Sequence, residues 1–246
     1  MTRSGLIALG LIICLLAGWE GAVRIWAIPV FILPPPSLIL TTAVVQAPLI
    51  LPHAAVTGAE IVLGIFLALI TAIPLAIAMF ARPVLEKALS PFLVASQAIP
   101  VFALAPLLVI WLGYGMASKV FMAWIIIFFP ITVSLVQGLK SCDPEYRTLF
   151  SLMGASFLKT LTLLYWPWAL PRFFAGLRVG VSVATIGAVI GEWVGAQQGL
   201  GFLMIQSNAR LQTPLVFAAI LWLAAMGMIL WSLVGILEKK IITWNT

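Results

Sequence analysis

Long apolar stretches alternate with short polar connectors along this chain. The apolar stretches cover residues 4–27 (interrupted late by Glu20 and Arg24), 61–81, 91–113, 119–139, 178–197 and 214–237. Each is close to the roughly 20 residues that a helix needs to cross a bilayer. The pattern predicts six transmembrane helices in one membrane domain, residues 1–246, with no internal repeat and no soluble insertion. Three connectors are long enough to have work of their own. Residues 28–56, with Pro29 and Pro34-Pro35-Pro36, read as a stiff extended stretch followed by a short interfacial helix. Residues 198–213 end in Asn208, Arg210 and Gln212, and residues 140–177 carry several charges.

Composition removes the alternatives. Hydrophobic residues make up 63% of the chain and charged ones 8%, with a mean hydropathy of +1.20; a soluble domain carries roughly 25% charged residues. In lipid only helices and closed barrels satisfy the backbone, and these runs far exceed the roughly 10 alternating residues of a barrel strand. The class is therefore all-α and membrane-embedded. The net charge of +6 does not point to nucleic acid, because the basic residues form neither a run nor a stripe. They orient the chain instead. With the N-terminus in the cytoplasm, the inner side receives Arg3, Arg82, Lys87, Lys140, Arg147, Lys159, Arg172, Arg178, Lys239 and Lys240, and the outer side only Arg24, Lys119 and Arg210. Both termini are then cytoplasmic. Arg3 followed by Leu6–Ala17 has the look of a signal peptide, but Trp19 and Glu20 follow where small residues would be needed, so it reads as a retained first span.

Local signals give the inner connector a shape. Asp143-Pro144 is a helix start, with Glu145 in the first turn, and Gly154 is a stop. A second helix runs from about Ser156 to Leu164, after which Pro167 and Pro171 turn the chain toward the fifth span. The result is a compact knob, or on its blandest reading a plain amphipathic connector. The third span holds Pro91, Pro100 and Pro106 and the fourth Pro130, which predicts kinked or locally broken helices. Irregular backbone is tolerated where it packs against protein or lines a cavity. Either these are packing kinks, or Ser96, Gln97 and Pro100 belong to a pathway or gate.

The knob resembles the cytoplasmic loop of the permease subunits of ABC importers, with its motif E-A-A-x3-G-x9-I-x-L-P. Gly154 matches the glycine, Leu164 the isoleucine and Pro167 the last proline, with Trp166 in place of leucine. "DPEY", "ALPRFFAGLRVG", "LPPPSLIL", "SQAIPVFALAPLLVIWLGYG" and "GLGFLMIQSNARLQT" resemble the branch serving nitrate, sulfonate, taurine and thiamine- or flavin-precursor importers. The resemblance spans nearly the whole chain. It implies the six-helix, type I ABC importer (MetI-like) permease fold in a bacterial inner membrane. It also implies a homodimer, an external substrate-binding protein and an ATP-binding subunit docked on a coupling helix. Asp143, Glu145, Arg147, Thr148, Leu149, Phe150, Gly154, Ala155 and Lys159 are then the docking residues. The Glu-Ala-Ala triplet falls on Thr148, Leu149 and Phe150, so either Glu145 compensates one turn earlier, or Leu149 and Phe150 dock by apolar burial with Arg147 and Lys159 on the rim. No GxxxxGK[ST] sequence occurs, so ATP and its hydrolysis belong to the partner and no cofactor is expected here. The substrate leaning is toward a thiamine-pyrimidine or riboflavin-type precursor, with sulfonate, taurine or nitrate as the alternative.

Inside the membrane, Glu192 lies 14 residues beyond Arg178, roughly 21 Å along a helix. It is either a pathway group or a structural acid. Glu60 reads as interfacial, and Glu20 with Arg24 as a helix-surface pair. Gly187, Gly191 and Gly195 permit close helix approach, within the chain or across a homodimer axis. His53, Cys14 and Cys142 show no metal-ligand or disulfide spacing. An intramembrane enzyme would need a convergent nucleophile, base or metal set. An ion-driven carrier would usually show paired intramembrane acids or inverted repeats. Neither pattern appears.

Overall fold

A computed structural model of the chain describes residues 3–244. Every element in it is helical: α1 (Arg3–Ile25), α2 (Pro36–Val45), α3 (Ala47–Ala81), α4 (Pro83–Ala98), α5 (Val101–Leu112), α6 (Met116–Lys140), α7 (Pro144–Leu152), α8 (Phe157–Thr160), a π-helical turn (Leu161–Tyr165), α9 (Trp166–Trp193), α10 (Leu200–Ala209) and α11 (Thr213–Ile241). Among the described residues, Ala47–Ala81, Met116–Lys140, Phe157–Trp193 and Thr213–Ile241 are each long and apolar enough to cross a membrane. The pair α4 and α5 would make one further span, bent by 100°. α1 is 23 residues long; the side chain of Arg3, one of the cations that orient the chain, lies outside the described set.

The chain packs as two compact units. One comprises residues 1–56 and 197–224. Here the Glu20 carboxylate pairs with Arg24 at 2.6 Å and also takes the Ser37 backbone N–H at 3.0 Å and its hydroxyl at 2.8 Å. A carboxylate thus meets the electropositive start of α2, where its own residues provide no side-chain cap. The Trp222 indole donates to Ala43 O and the Thr213 hydroxyl to Phe31 O. His53 Nδ1 accepts from the Gly199 N–H at 3.1 Å.

The other unit comprises residues 57–196 and 225–246 and holds the main core. Small residues recur every fourth position on α3 (Ala68, Ala72, Ala76), facing Ala123, Ile127, Ile131 and Leu135 of α6 and Leu177, Val181, Ala184 and Ala188 of α9. That spacing is one helix face, and alanine and glycine let the backbones approach closely. α6 and α9 form the tightest pair: a Cβ on Gly176 would sit 2.7 Å from Pro130 O, and one on Gly187 2.9 Å from Ala123 Cα.

Two expectations need correction and one is met. Residues 47–56 are not a connector but the opening turns of α3: Pro48 falls in the first turn, where its missing N–H is harmless, and the helix runs on through Pro52. The third span is locally broken, as its prolines predict: Ile99 is extended at φ −76°, ψ 122°, as the residue before a proline prefers, and Pro100 leads into α5. Pro167 and Pro171 do not turn the chain, since α8, the π turn and α9 run on through both as Phe157–Trp193. The wide π turn just ahead of Pro167 relaxes the ladder at the point where proline supplies no donor.

Candidate functional site

The connector after α6 forms a knob held by its own hydrogen bonds. The Asp143 carboxylate accepts the Glu145 N–H at 2.9 Å and caps α7. At the other end, Gly154 N donates to Ser151 O and Ala155 N to Phe150 O, each at 3.0 Å, with Gly154 at φ +67°. This is the Schellman arrangement, which satisfies the last carbonyls of the helix. The Thr148 hydroxyl is used internally, donating to Pro144 O.

No residue of α7 is buried. Its outward side and the turn after it present Tyr146, Leu149, Leu152, Met153, Phe157 and Leu158, with Leu152 81% and Met153 74% exposed. Glu145 and Lys159 are exposed at the rim, while Phe150 and Ala155 are half-buried. An exposed apolar cluster of this kind on a polar connector is a candidate interaction surface.

The same knob is tied firmly to α6. Arg147 donates from Nε to Cys142 O at 3.0 Å, and from Nη2 to both Lys140 O and Cys142 O at 2.6 Å. Its guanidinium therefore serves the carbonyl end of α6, where a cation is favoured. Trp168 donates to Ser141 O at 3.1 Å, Arg172 to Gln137 O at 3.2 Å, and Lys140 pairs with Glu86. Tyr165, in the π turn, packs edge-on against Phe80 at 4.8 Å. A force applied to α7 thus passes into α6, α9 and α3 through short contacts. Burial pushes the Cys142 thiol above its ordinary range, against the opposing pull of the Arg147 charge.

Of the residues expected along a pathway, Ser96, Gln97 and Pro100 lie together at the break between α4 and α5. The Ser96 hydroxyl donates to Leu93 O, and Gln97 and Pro100 are exposed. Glu192 belongs to a different group. It is buried beside Thr57, Glu60 and Lys119, none of the four being more than 3% exposed. Thr57 Oγ1 donates to Glu192 Oε1 at 2.5 Å, the Glu60 and Glu192 carboxyls meet, and the Lys119 ammonium acts on both. Lys119 Nζ also donates to Tyr114 O at 2.7 Å.

Sequence reading missed this group. Glu60 and Lys119 are buried in protein, Lys119 within α6, and the two carboxyls form the paired acids that the sequence did not reveal. A charge at the edge of an apolar run looks the same whether it faces water or a partner 73 positions along the chain. The one usable signal was the glycine stripe. A Cβ on Gly191 would stand 3.1 Å from Lys119 Cα, and one on Gly195 would enter the Tyr114 ring. The stripe therefore packs within the chain, against α6 and the loop before it.

Comparison with known proteins agrees with this architecture. The family described as "Binding-protein-dependent transport system inner membrane component" matches residues 60–243. A probable ABC transporter permease protein of Haemophilus influenzae is 43% identical over 88% of this chain and 89% of its own length. The formylaminopyrimidine transport permease protein ThiX of Halalkalibacterium halodurans is 38% identical over 92% of this chain and 91% of its own. The riboflavin transport system permease protein RibX of Chloroflexus aurantiacus is 42% identical over 65% of this chain and 60% of its own.

Proposed function

From the premise that this chain belongs to the family of binding-protein-dependent transport inner membrane components and is an ABC importer permease, we propose that the solute it passes is a thiamine-pyrimidine or riboflavin-type precursor. The observation that carries the substrate is the similarity to the formylaminopyrimidine permease over 92% of the chain. The riboflavin permease adds a second planar nitrogen heterocycle.

On this reading residues 1–246 act as one permease domain with six spans in a bacterial inner membrane, both termini cytoplasmic. The count of cations supports that orientation: ten fall on the side of the knob and two, Arg24 and Arg210, on the other, with Lys119 buried in protein. Two copies form the path, and a binding protein delivers solute from outside. The ATP-binding subunit covers the apolar face of α7, with Leu149, Leu152 and Met153 as the buried contacts and Glu145 and Lys159 at the rim. The chain holds no cofactor of its own, and ATP is bound and hydrolysed by the partner. Movement of that partner turns the knob as a rigid piece. Arg147, Trp168 and Arg172 then pass the rotation to α6 and α9, which opens the path alternately to each side.

The test is uptake of labelled formylaminopyrimidine and riboflavin by cells that produce the importer, against cells lacking it. ATP-dependent uptake of one of them is expected. Uptake of taurine or an alkyl sulfonate with neither heterocycle transported would overturn the substrate.

A further inference from the structure

We propose that the break between α4 and α5 is where the path holds its solute, and that the Gln97 amide there hydrogen-bonds the edge of an uncharged planar nitrogen heterocycle. The inference rests on the importer reading and adds to it a recognition group within this chain.

The break lies inside the membrane. α4 starts beside the inner end of α6, where Glu86 pairs with Lys140. α5 packs on the opposite half of α6: Ala105 and Leu108 cluster with Met122, and Val101, Leu104 and Ile125 surround them. Residues 98–100 therefore come between those two levels, and Gln97 stands about 15 Å of helix beyond Lys87.

The break also stands clear of the chain's own core. α4 packs on that core through Leu85, Leu89 and Leu93, one helix face, and packing resumes at Val101. In between, Gln97, Ala98, Ile99 and Pro100 are exposed. Hydrocarbon provides no hydrogen bonds, so irregular backbone at this depth has to meet protein or line a water-filled cavity. Ile99 is extended, Pro100 brings no N–H, and the first turn of α5 has no side-chain cap. The Ser96 hydroxyl is used on Leu93 O at 2.7 Å, whereas the Gln97 side chain has no hydrogen-bond partner among the described residues. Where two copies form the path, the face that one turns to the other is also the wall of the path. Apolar side chains on that face can touch dry; a free amide beside broken backbone marks the stretch that is wet.

The chemistry of this stretch is narrow. Gln97 is the one amide side chain between Gln46 and Gln137, and no charged residue occurs between Lys87 and Lys119. A carboxamide presents a donor and an acceptor side by side in one plane, the arrangement with which glutamine reads the edge of a nucleobase. A sulfonate or nitrate ion calls for a cation, and this segment has none. The break thus favours the heterocycle over the anion on grounds separate from sequence similarity.

The experiment uses the assembled importer in proteoliposomes, with Cys14→Ser and Cys142→Ala removing the native thiols. Ala98→Cys, at an exposed position next to the amide, is treated during ATP-driven turnover with a charged, water-soluble thiosulfonate and, in parallel, with a lipid-soluble maleimide. The water-soluble reagent should react, and formylaminopyrimidine or riboflavin, but not taurine, should slow it. Gln97→Leu should lose about tenfold of uptake, the effect of leaving a polar partner unsatisfied. Gln97→Asn should keep more, and in both variants the ATP-binding subunit should still co-purify and the melting temperature stay unchanged. Reaction with the lipid-soluble reagent alone would put the break against lipid, and reaction with neither would put it under the second copy. Either result overturns the proposal, as does labelling that the heterocycles leave unchanged or full uptake by Gln97→Leu. Absence of ATP-driven uptake by the unmodified chain would instead overturn the importer reading, and this inference with it.

Discussion

Replacing Gly154 by alanine separates backbone conformation from packing at the docking knob. A Cβ at this position would meet nothing within 4 Å, so the substitution has no steric consequence in the folded knob. What it changes is the cost of φ +67°. For an L-residue the left-handed region costs about 1–2 kcal/mol. Because no residue of α7 is buried, the cost is borne locally, by the hydrogen bonds that close the helix at Ser151 O and Phe150 O. One to two kcal/mol corresponds to a factor of about 5–30 in the population of the closed turn. Solute-stimulated ATP hydrolysis and uptake should fall by about that factor in Gly154→Ala, with membrane insertion and the melting temperature of the bundle unchanged. Gly154→Asn, which tolerates left-handed φ better, should fall between alanine and glycine. Both assays run on the same purified complex in lipid. If alanine and asparagine both couple as well as glycine, the turn does not set the docking geometry and the reasoning fails.

Other substitutions probe the transmission path. Gly187→Ala is the converse case, an ordinary helical φ with a Cβ 2.9 Å from Ala123 Cα; overpacking should destabilise the detergent-solubilised protein by about 1–3 kcal/mol, read as a lower melting temperature. Arg147→Ala should uncouple ATP hydrolysis from uptake while the chain still binds its ATP-binding subunit, because Arg147 holds the end of α6 and not the exposed face. Arg147→Lys should not restore coupling, since one ammonium cannot reproduce the planar fork of Nε and Nη2 that holds Cys142 O while Nη2 also reaches Lys140 O. Phe150→Asp, at a half-buried position, should lower coupling further by placing a charge under the knob.

Signals that act over a few residues were legible in the sequence. Asp143-Pro144 and Gly154 fixed both ends of α7 because caps and left-handed glycines work within one turn. Pro100 marked the break in the third span, although not its 100° bend, which depends on what the two halves pack against. The run-on of α9 through Pro167 was not legible. It depends on the π turn, whose Leu161 and Leu164 are buried and whose Tyr165 packs edge-on against Phe80, 85 positions away. The buried cluster on α3, α6 and α9 was hidden for the same reason. Thr57, Glu60, Lys119 and Glu192 come from three helices, and Glu60 and Lys119 taken alone have the appearance of residues at a membrane boundary. The glycine stripe was legible as a packing face, but its partner, α6, was not.

The account rests on α7 as the seat of an ATP-binding subunit, and one isolation tests it. The tagged chain is purified from its native membrane in mild detergent, alongside Leu149→Asp/Leu152→Asp, which charges the exposed face of the knob. The account predicts an ATP-hydrolysing subunit in roughly equal amount with the unmodified chain and its loss from the variant. A chain that emerges alone, and whose transport in vesicles runs on an ion gradient without ATP, would contradict it.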